Sequence, residues 1–343
     1  MKLALSILDQ SSVASGRTPP EAIRETLALA QRADAWGYRR YWLAEHHNSA
    51  SHAGTAPEIL VSAIAATTQR IRVGTAGVML PHYSALKVAE QFKVLEAIVP
   101  GRIDLGVGRA PGSDGRTAFA LNPNANEAAD RFPQQVQELM GWLGDGLPVN
   151  HPFARVSAQP EGPTRPEVWI LGSSDFGAQL AAYLGLPYCF AHFITDGRGS
   201  EEALALYRQG FRPHPGQAGR LTEPHAAVAV FALTAPTEAE AWRLFRSREL
   251  WRLSRDRGIY PPLPSVEEAE RYDYSPEELA QVERMRARAI VGAPEQVIAK
   301  LQAVAEAHGA AEVAVLTPCH DATARQASFR LLAEANEALP AAA

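Results

Sequence analysis

The sequence predicts a (β/α)8 barrel of the TIM type, and three observations carry that reading. Short apolar runs alternate along the chain with segments whose apolar residues recur at helical spacing. The short runs are apolar on both faces, as strands must be when a parallel sheet is covered by helices. Eight such units without a strong break in composition, in a chain of 343 residues, favour a closed barrel over an open doubly wound sheet.

The elements follow in order. Residues 2–9 read as the first buried strand. After a Ser/Gly/Pro loop, residues 19–38 carry Ile23, Leu27, Ala30 and Ala33 on one helical face, with Pro19 and Pro20 suited to the first turn. A strand at 40–46, a helix at 56–69, a strand at 71–80, a helix at 84–99 and a strand at 102–109 complete four units by residue 145. The second half is less regular: strand 167–172, helix 175–185, strand 188–193, helix 201–210, and strands at 226–234 and 313–317. Residues 111–126 and 256–283 fit no unit. The chain therefore reads as one domain, 1–343, with two insertions, and long insertions in such a fold are usually functional.

Composition narrows the function classes. Hydrophobic residues make up 46% of the chain, ample for a large core, and the formal charge of −5 is dispersed and its positive part mostly Arg. Neither a nucleic-acid stripe nor a membrane-surface patch is predicted, and no apolar run approaches spanning length. Cys189 and Cys319 give no disulfide framework and are expected as buried apolar side chains. Without a signal peptide, a reduced, cytoplasmic protein is expected.

The loops after the strand C-termini form the chemical mouth of a barrel. The stretch AEHHN at 44–48 places Glu45, His46 and His47 there. Alternation lets at most one of the two histidines face the axis if the strand runs that far. His46, His47 and His52 lack the i, i+4 spacing of a helical zinc motif, so no metal is expected. In the third strand Gly74, Ala76 and Gly77 interrupt a β-branched run, and small residues there permit close approach of something flat or bulky. The fourth strand ends at Arg109. The fifth ends at Ser173 and Ser174 and turns straight into a helix, whose N-terminus favours an anion. An Arg and a helix N-terminus on neighbouring strands suggest a phosphate site; the alternative is an ion pair between Arg109 and a loop carboxylate such as Asp114. Gly106, Gly108 and Gly112 have the wrong spacing for a dinucleotide fingerprint, and Pro111 interrupts the turn.

SILD at 6–9, RYWLAEHHN at 40–48, VGTAGVMLP at 73–81, AEQF at 89–92, PGRIDLGVGRAPGSD at 100–114, LGSSDFGAQLAAYLGLPY at 171–188 and VGAPEQV at 291–297 cover the chain nearly end to end. On these motifs the chain resembles the luciferase-like flavin-dependent monooxygenases, the family of the bacterial luciferase subunits, and within it a subgroup of bacterial homologues. The resemblance implies a barrel that binds FMN at its C-terminal mouth. Reduced FMN, supplied by a separate flavin reductase, would react with O2 through a flavin C4a-hydroperoxide to oxygenate a small organic substrate. It also implies a homodimer. His46, the first His of the EHH motif, maps onto the catalytic position beside Glu45, and a histidine with a pKa near the working pH is expected there. Ala76-Gly77 maps onto a non-prolyl cis peptide under the isoalloxazine ring, and Arg109, Ser173 and Ser174 onto the phosphate contacts. The chain departs from luciferase itself at Ser173, where luciferase has an acidic residue, and at Gly108, where it has Cys. These departures tell against light emission and long-chain aldehyde specificity. Two other readings remain: an F420-dependent hydride-transfer enzyme on the same barrel, and a flavin-binding protein without turnover. Residues 256–283 are expected to form a mobile lid that follows the seventh strand–helix unit. Their prolines lower the entropy lost on closing, and their acidic run has too little apolar surface to pack permanently. The plainer alternative is a segment packed against a second subunit.

Overall fold

Eight parallel strands close into a barrel in the computed structural model, which describes residues 2–144 and 146–340. In chain order the strands are β1 (Leu5–Asp9), β2 (Arg40–Leu43), β3 (Arg72–Met79), β4 (Ile103–Gly108), β5 (Glu167–Gly172), β6 (Tyr188–Phe190), β7 (Ala226–Thr234), β8 (Ile290–Gly292) and β9 (Glu312–Leu316). Each of β1 to β6 pairs with the next, β6 pairs with β7, β7 with β9, and β9 returns to β1. β8 lies outside the ring, paired to the C-terminal end of β7. The helices are α1 (Pro19–Ala35), α2 (Pro57–Thr67), α3 (Ala85–Ile98), α4 (Gly115–Leu121), α5 (Ala125–Asp130), α6 (Phe132–Leu143), α7 (Asp175–Leu184), α8 (His192–Thr195), α9 (Ser200–Gly210), α10 (Glu238–Asp256), α11 (Val266–Arg271), α12 (Pro276–Arg286), α13 (Pro294–His308) and α14 (Ala322–Glu337). Among the described residues no helix is long and apolar enough to cross a membrane.

Strand alternation builds two cores. Leu8, Trp42, Ala44, Trp169, Cys189, Ala229 and Leu316 fill the inside of the ring, while Ile7, Tyr41, Val73, Leu105, Val228 and Val313 face the helices. The N-terminal end is closed by charge. Arg40, 1% exposed, binds Asp104 at 2.9 Å, Glu312 at 3.0 Å and Glu167 at 3.2 Å, and Trp42 Nε1 donates to Asp104 at 2.9 Å. Burial pulls the Arg40 guanidinium down, but the three carboxylates hold it above its ordinary value. With the floor sealed, only the C-terminal mouth is open to chemistry.

Several boundaries differ from the sequence reading. β2 stops at Leu43 rather than at residue 46, because its neighbour β3 shifts register just beyond Thr75, the partner of Leu43. The EHH stretch is therefore loop. β6 stops at Phe190, and residues 192–195 are the short helix α8. Residues 111–126 hold α4, capped by Asp114, and the start of α5.

The larger correction concerns the second insertion. The barrel helix between β7 and β9 is α13, whose Val297, Ile298, Leu301 and Ala305 pack into the outer core. The inserted unit is thus α10, α11, α12 and β8, and residues 256–283 are only part of it. That part is not short of packing surface. Val266 and Ala269 are buried, Val266 in a separate core with Leu233, Ala241, Leu244, Phe245, Val291 and Cys319. Ser265 and Ser275 start α11 and α12 with capping boxes to Glu268 and Glu278. The acidic residues are caps and solvent faces of helices that bury Val266, Ala269 and Val282 and leave Leu279 exposed.

Candidate active site at the barrel mouth

The loop after β2 sets the first side of the site. Glu45 is 1% exposed and accepts hydrogen bonds from the Met79 amide at 3.0 Å and the Tyr83 hydroxyl at 2.7 Å, with His47 Nε2 also 2.7 Å away. Ala44 faces the barrel interior, so Glu45 points away from it and ties this loop to the turn after β3. The structure thus places Glu45 and His47 in a bracket behind the site. His46 is different. Its amide donates to the Gly54 carbonyl at 3.0 Å, its ring stacks on His52 with centroids 4.4 Å apart, and its buried Nδ1 has no partner. Two stacked imidazoles do not converge on a point, as metal ligands would.

Burial pushes His46 down to about 4, with His47 and Arg255 adding to the effect and Glu45 opposing it. His52 falls to about 3, again chiefly by burial. The expectation of a histidine poised near neutral pH is therefore corrected: His46 is held neutral, because it is enclosed beneath α10, where Trp251 meets His52 edge-on at 6.1 Å.

The second side is the meeting of β3 and β4. The register shift between Thr75 and Val78 leaves Ala76 and Gly77 out of the ladder, and the peptide joining them is cis, as the resemblance implies. A Cβ on Gly77 would come within 2.6 Å of Leu171 Cδ1 and 2.7 Å of the Gly106 carbonyl, so this backbone lies directly against its neighbour. Ala76 and Leu171 pack onto the top of the inner core and make a flat apolar shelf.

Arg109 supplies the third side. It leaves the end of β4, and its guanidinium carbon sits 4.0 Å from the centroid of Phe176 in the first turn of α7. Asp114 is not its partner: that carboxylate caps α4 through Arg116 and Thr117 and accepts from Asn48. Ser174 is the N-cap of α7 and makes no capping bond with its side chain, and Ser173 precedes it. One exposed cation stacked beside a free helix N-terminus can hold a phosphate. Phe176 escaped sequence reading, although an aromatic residue in a first turn next to an unpaired Arg was the available signal. His52 carried no signal, since its stacking exists only in the fold.

Beside the mouth a cavity of about 330 Å3 opens between α8, α10 and α12, with Phe193 and Phe231 on its floor. A larger hollow of about 650 Å3 lies between α3, α6 and residues 154–165, toward the other end of the barrel, and touches none of the residues above.

A closed (β/α)8 barrel with a bulged strand, a stacked histidine pair and an exposed arginine beside a helix N-terminus around one mouth sets its polar groups where barrel enzymes carry their chemistry. The chain belongs to the luciferase-like monooxygenase family, whose model matches residues 1–311. It is 38% identical over 335 residues to the N-acetyl-S-alkylcysteine monooxygenase of Bacillus subtilis (strain 168), a match covering 97% of this chain and 98% of that protein. It superimposes on the crystal structure of apo-MsnO8 with a TM-score of 0.88 at 37% identity, over 99% of this chain and 100% of that one. A type II Baeyer–Villiger monooxygenase, the oxygenating constituent of 3,6-diketocamphane monooxygenase from Pseudomonas putida solved with FMN, shares the fold at 19% identity. Its TM-score is 0.70, over 97% of each chain.

Proposed function

We propose that this protein is an FMN-dependent monooxygenase that receives reduced FMN from a separate flavin reductase and uses O2 to oxygenate a small organic molecule. The observation that carries the reading is Arg109 stacked on Phe176 at the N-terminus of α7, on the strands next to the Ala76-Gly77 bulge. The residues present fit the cofactor. Arg109, the first amides of α7, Ser173 and Ser174 would hold its phosphate, and Ala76, Gly77 and Leu171 would support its ring. Bound reduced FMN supplies the two electrons that take one atom of O2 to water while the other enters the substrate.

The chain's own groups supply the rest. Glu45 and His47 fix the loop that carries His46. His46 is neutral and its Nδ1 is unpaired, so it can accept a proton at that atom and return it. The inserted helices exclude water from the mouth and move as the lid. The apolar outer faces of α2 and α3, where Ile59, Val94 and Ile98 are exposed, suit pairing with a second copy of this chain. Cys189 and Cys319, both buried and free, agree with a reducing compartment such as the cytoplasm.

The test is anaerobic photoreduction of the FMN-loaded protein, then addition of 18O2 with thioethers, aldehydes, ketones and sulfonates. One labelled oxygen atom in a product is the expected result. FMN binding without label in any product would leave only a flavin-binding protein, and binding of F420 in place of FMN would point to hydride transfer.

A further inference from the structure

The cavity of about 330 Å3 beside the mouth is lined by five arginines and two aspartates. Arg252 is already neutralised: it grips Asp196 at 2.9 and 2.8 Å and Asp256 at 2.7 Å. Arg248, one turn earlier on α10, is 5% exposed and has no such partner. Its Nε makes no hydrogen bond, and among the described residues it forms no ion pair. Its guanidinium carbon instead lies 3.9 Å from the centroid of Phe231 and 5.6 Å from that of Phe245. Burial first, then Arg252, pulls Arg248 down to about 9 against Asp196, so it keeps its charge at neutral pH. Asp196 and Asp256 act on it from a distance, but their carboxylates are taken up by Arg252. A buried cation against two aromatic rings without an ion-pair partner of its own is costly until an anion completes it.

The floor of the cavity leads to the site already described. Phe231 meets Phe193 edge-on at 5.4 Å, and both pack onto the same inner cluster of the barrel that Ala76 and Leu171 also cover. Arg198, Arg284 and Arg288 stand exposed at the rim and add a field that draws anions inward. Arg109 lies on the β4–β5 side and Arg248 over β7, so the two cations serve different groups.

We propose that this cavity binds the carboxylate head of the substrate, with Arg248 as its charge partner and Phe193 and Phe231 flanking the apolar body that reaches the Ala76-Gly77 shelf. The substrate class is then small organic acids. This rests on the monooxygenase reading only for calling the bound acid a substrate; the binding stands without it.

Isothermal titration of the full-length protein, with and without FMN, tests the inference using two acid–amide pairs: hexanoate with hexanamide, and N-acetyl-S-methylcysteine with its carboxamide. In the unaltered protein the acid of at least one pair is expected to bind ten times more tightly than its amide or better. Arg248→Gln should erase that preference and leave FMN affinity unchanged. Arg248→Lys, which keeps the charge on a shorter reach and decides the matter if the Gln variant does not fold, should weaken the acid and not the amide. No preference in either pair, a preference that survives Arg248→Gln, equal binding of acid by Arg248→Lys, or loss of FMN but not riboflavin affinity in Arg248→Gln would each overturn the proposal. An acid preference without 18O incorporation would sink the monooxygenase reading and leave the anion site standing.

Discussion

In the proposed function Arg109 and His46 divide the work of binding and chemistry between two side chains. Arg109 would hold the FMN phosphate through a charged hydrogen bond, worth about 1.5–3 kcal/mol. Arg109→Gln should therefore weaken FMN roughly ten- to a hundredfold, with little change for riboflavin, as fluorescence quenching titrations would show. His46→Ala should leave FMN affinity nearly intact and lower turnover by about a hundredfold or more, since it removes a proton carrier and no anchor. Full turnover in that variant would remove His46 from the chemistry. Both residues stand out in the sequence because each follows a strand at the mouth, Arg109 directly after β4 and His46 in the loop after β2. The resemblance singles out His46 from His47, but places Glu45 beside it as a second catalytic candidate. Only the bonds from Met79 and Tyr83 show that Glu45 looks outward.

At the scale of elements, the strands were the readable part, because apolar residues on both faces have few other homes. Helices α1, α2, α3, α7 and α9 were legible as helices, whereas residues 256–283, which hold α11 and most of α12, read as an inserted loop. α10 follows β7 and has an ordinary amphipathic pattern, so nothing local separates it from a barrel helix; its packing against β8 and α11 does. The same holds for α11 and α12, whose caps disguise them as an acidic loop. Ser275 Oγ accepts the Glu278 amide at 3.3 Å, and Glu278 returns a bond to the Ser275 amide at 2.8 Å. Ser275→Ala should cost about 1 kcal/mol, seen as faster amide exchange confined to α12 while the barrel strands stay protected.

For the molecule as a whole, the charged floor joins strands distant in sequence. Arg40 on β2 meets Asp104 on β4, Glu167 on β5 and Glu312 on β9. Arg40→Met should destabilise the fold by about 1–3 kcal/mol in urea unfolding, because Asp104 and Glu312 lose their buried cation and keep only the more exposed cations of Arg72 and Arg39. A loss below about 1 kcal/mol would show that the carboxylates find other partners. Arg40 sits in a strand that otherwise reads as plain core. Its role follows from ring closure, which brings β9 back beside β1 and so within reach of β2.

The fastening of α10 to the loop after β2 would couple the proposed lid to protons. Trp251 Nε1 donates to the Pro261 carbonyl at 3.0 Å, as does Ser51 Oγ at 2.7 Å, one residue from His52. The roof thereby sets the dielectric around His46 and His52, on which Arg255, Asp9, Glu45 and His47 also act. Lifting it admits water and returns both rings toward their ordinary value of 6.5. Because the closed form has the lowered pKa values, the open form binds more protons between about pH 6.5 and 4. Closure is then complete above that window and weakens as pH falls through it. Cleavage by a protease near Gly258 should accelerate from pH 7 to pH 5, and His52→Phe should flatten that rise. The mouth would then act as a proton-gated compartment whose tightness is greatest where both imidazoles are neutral.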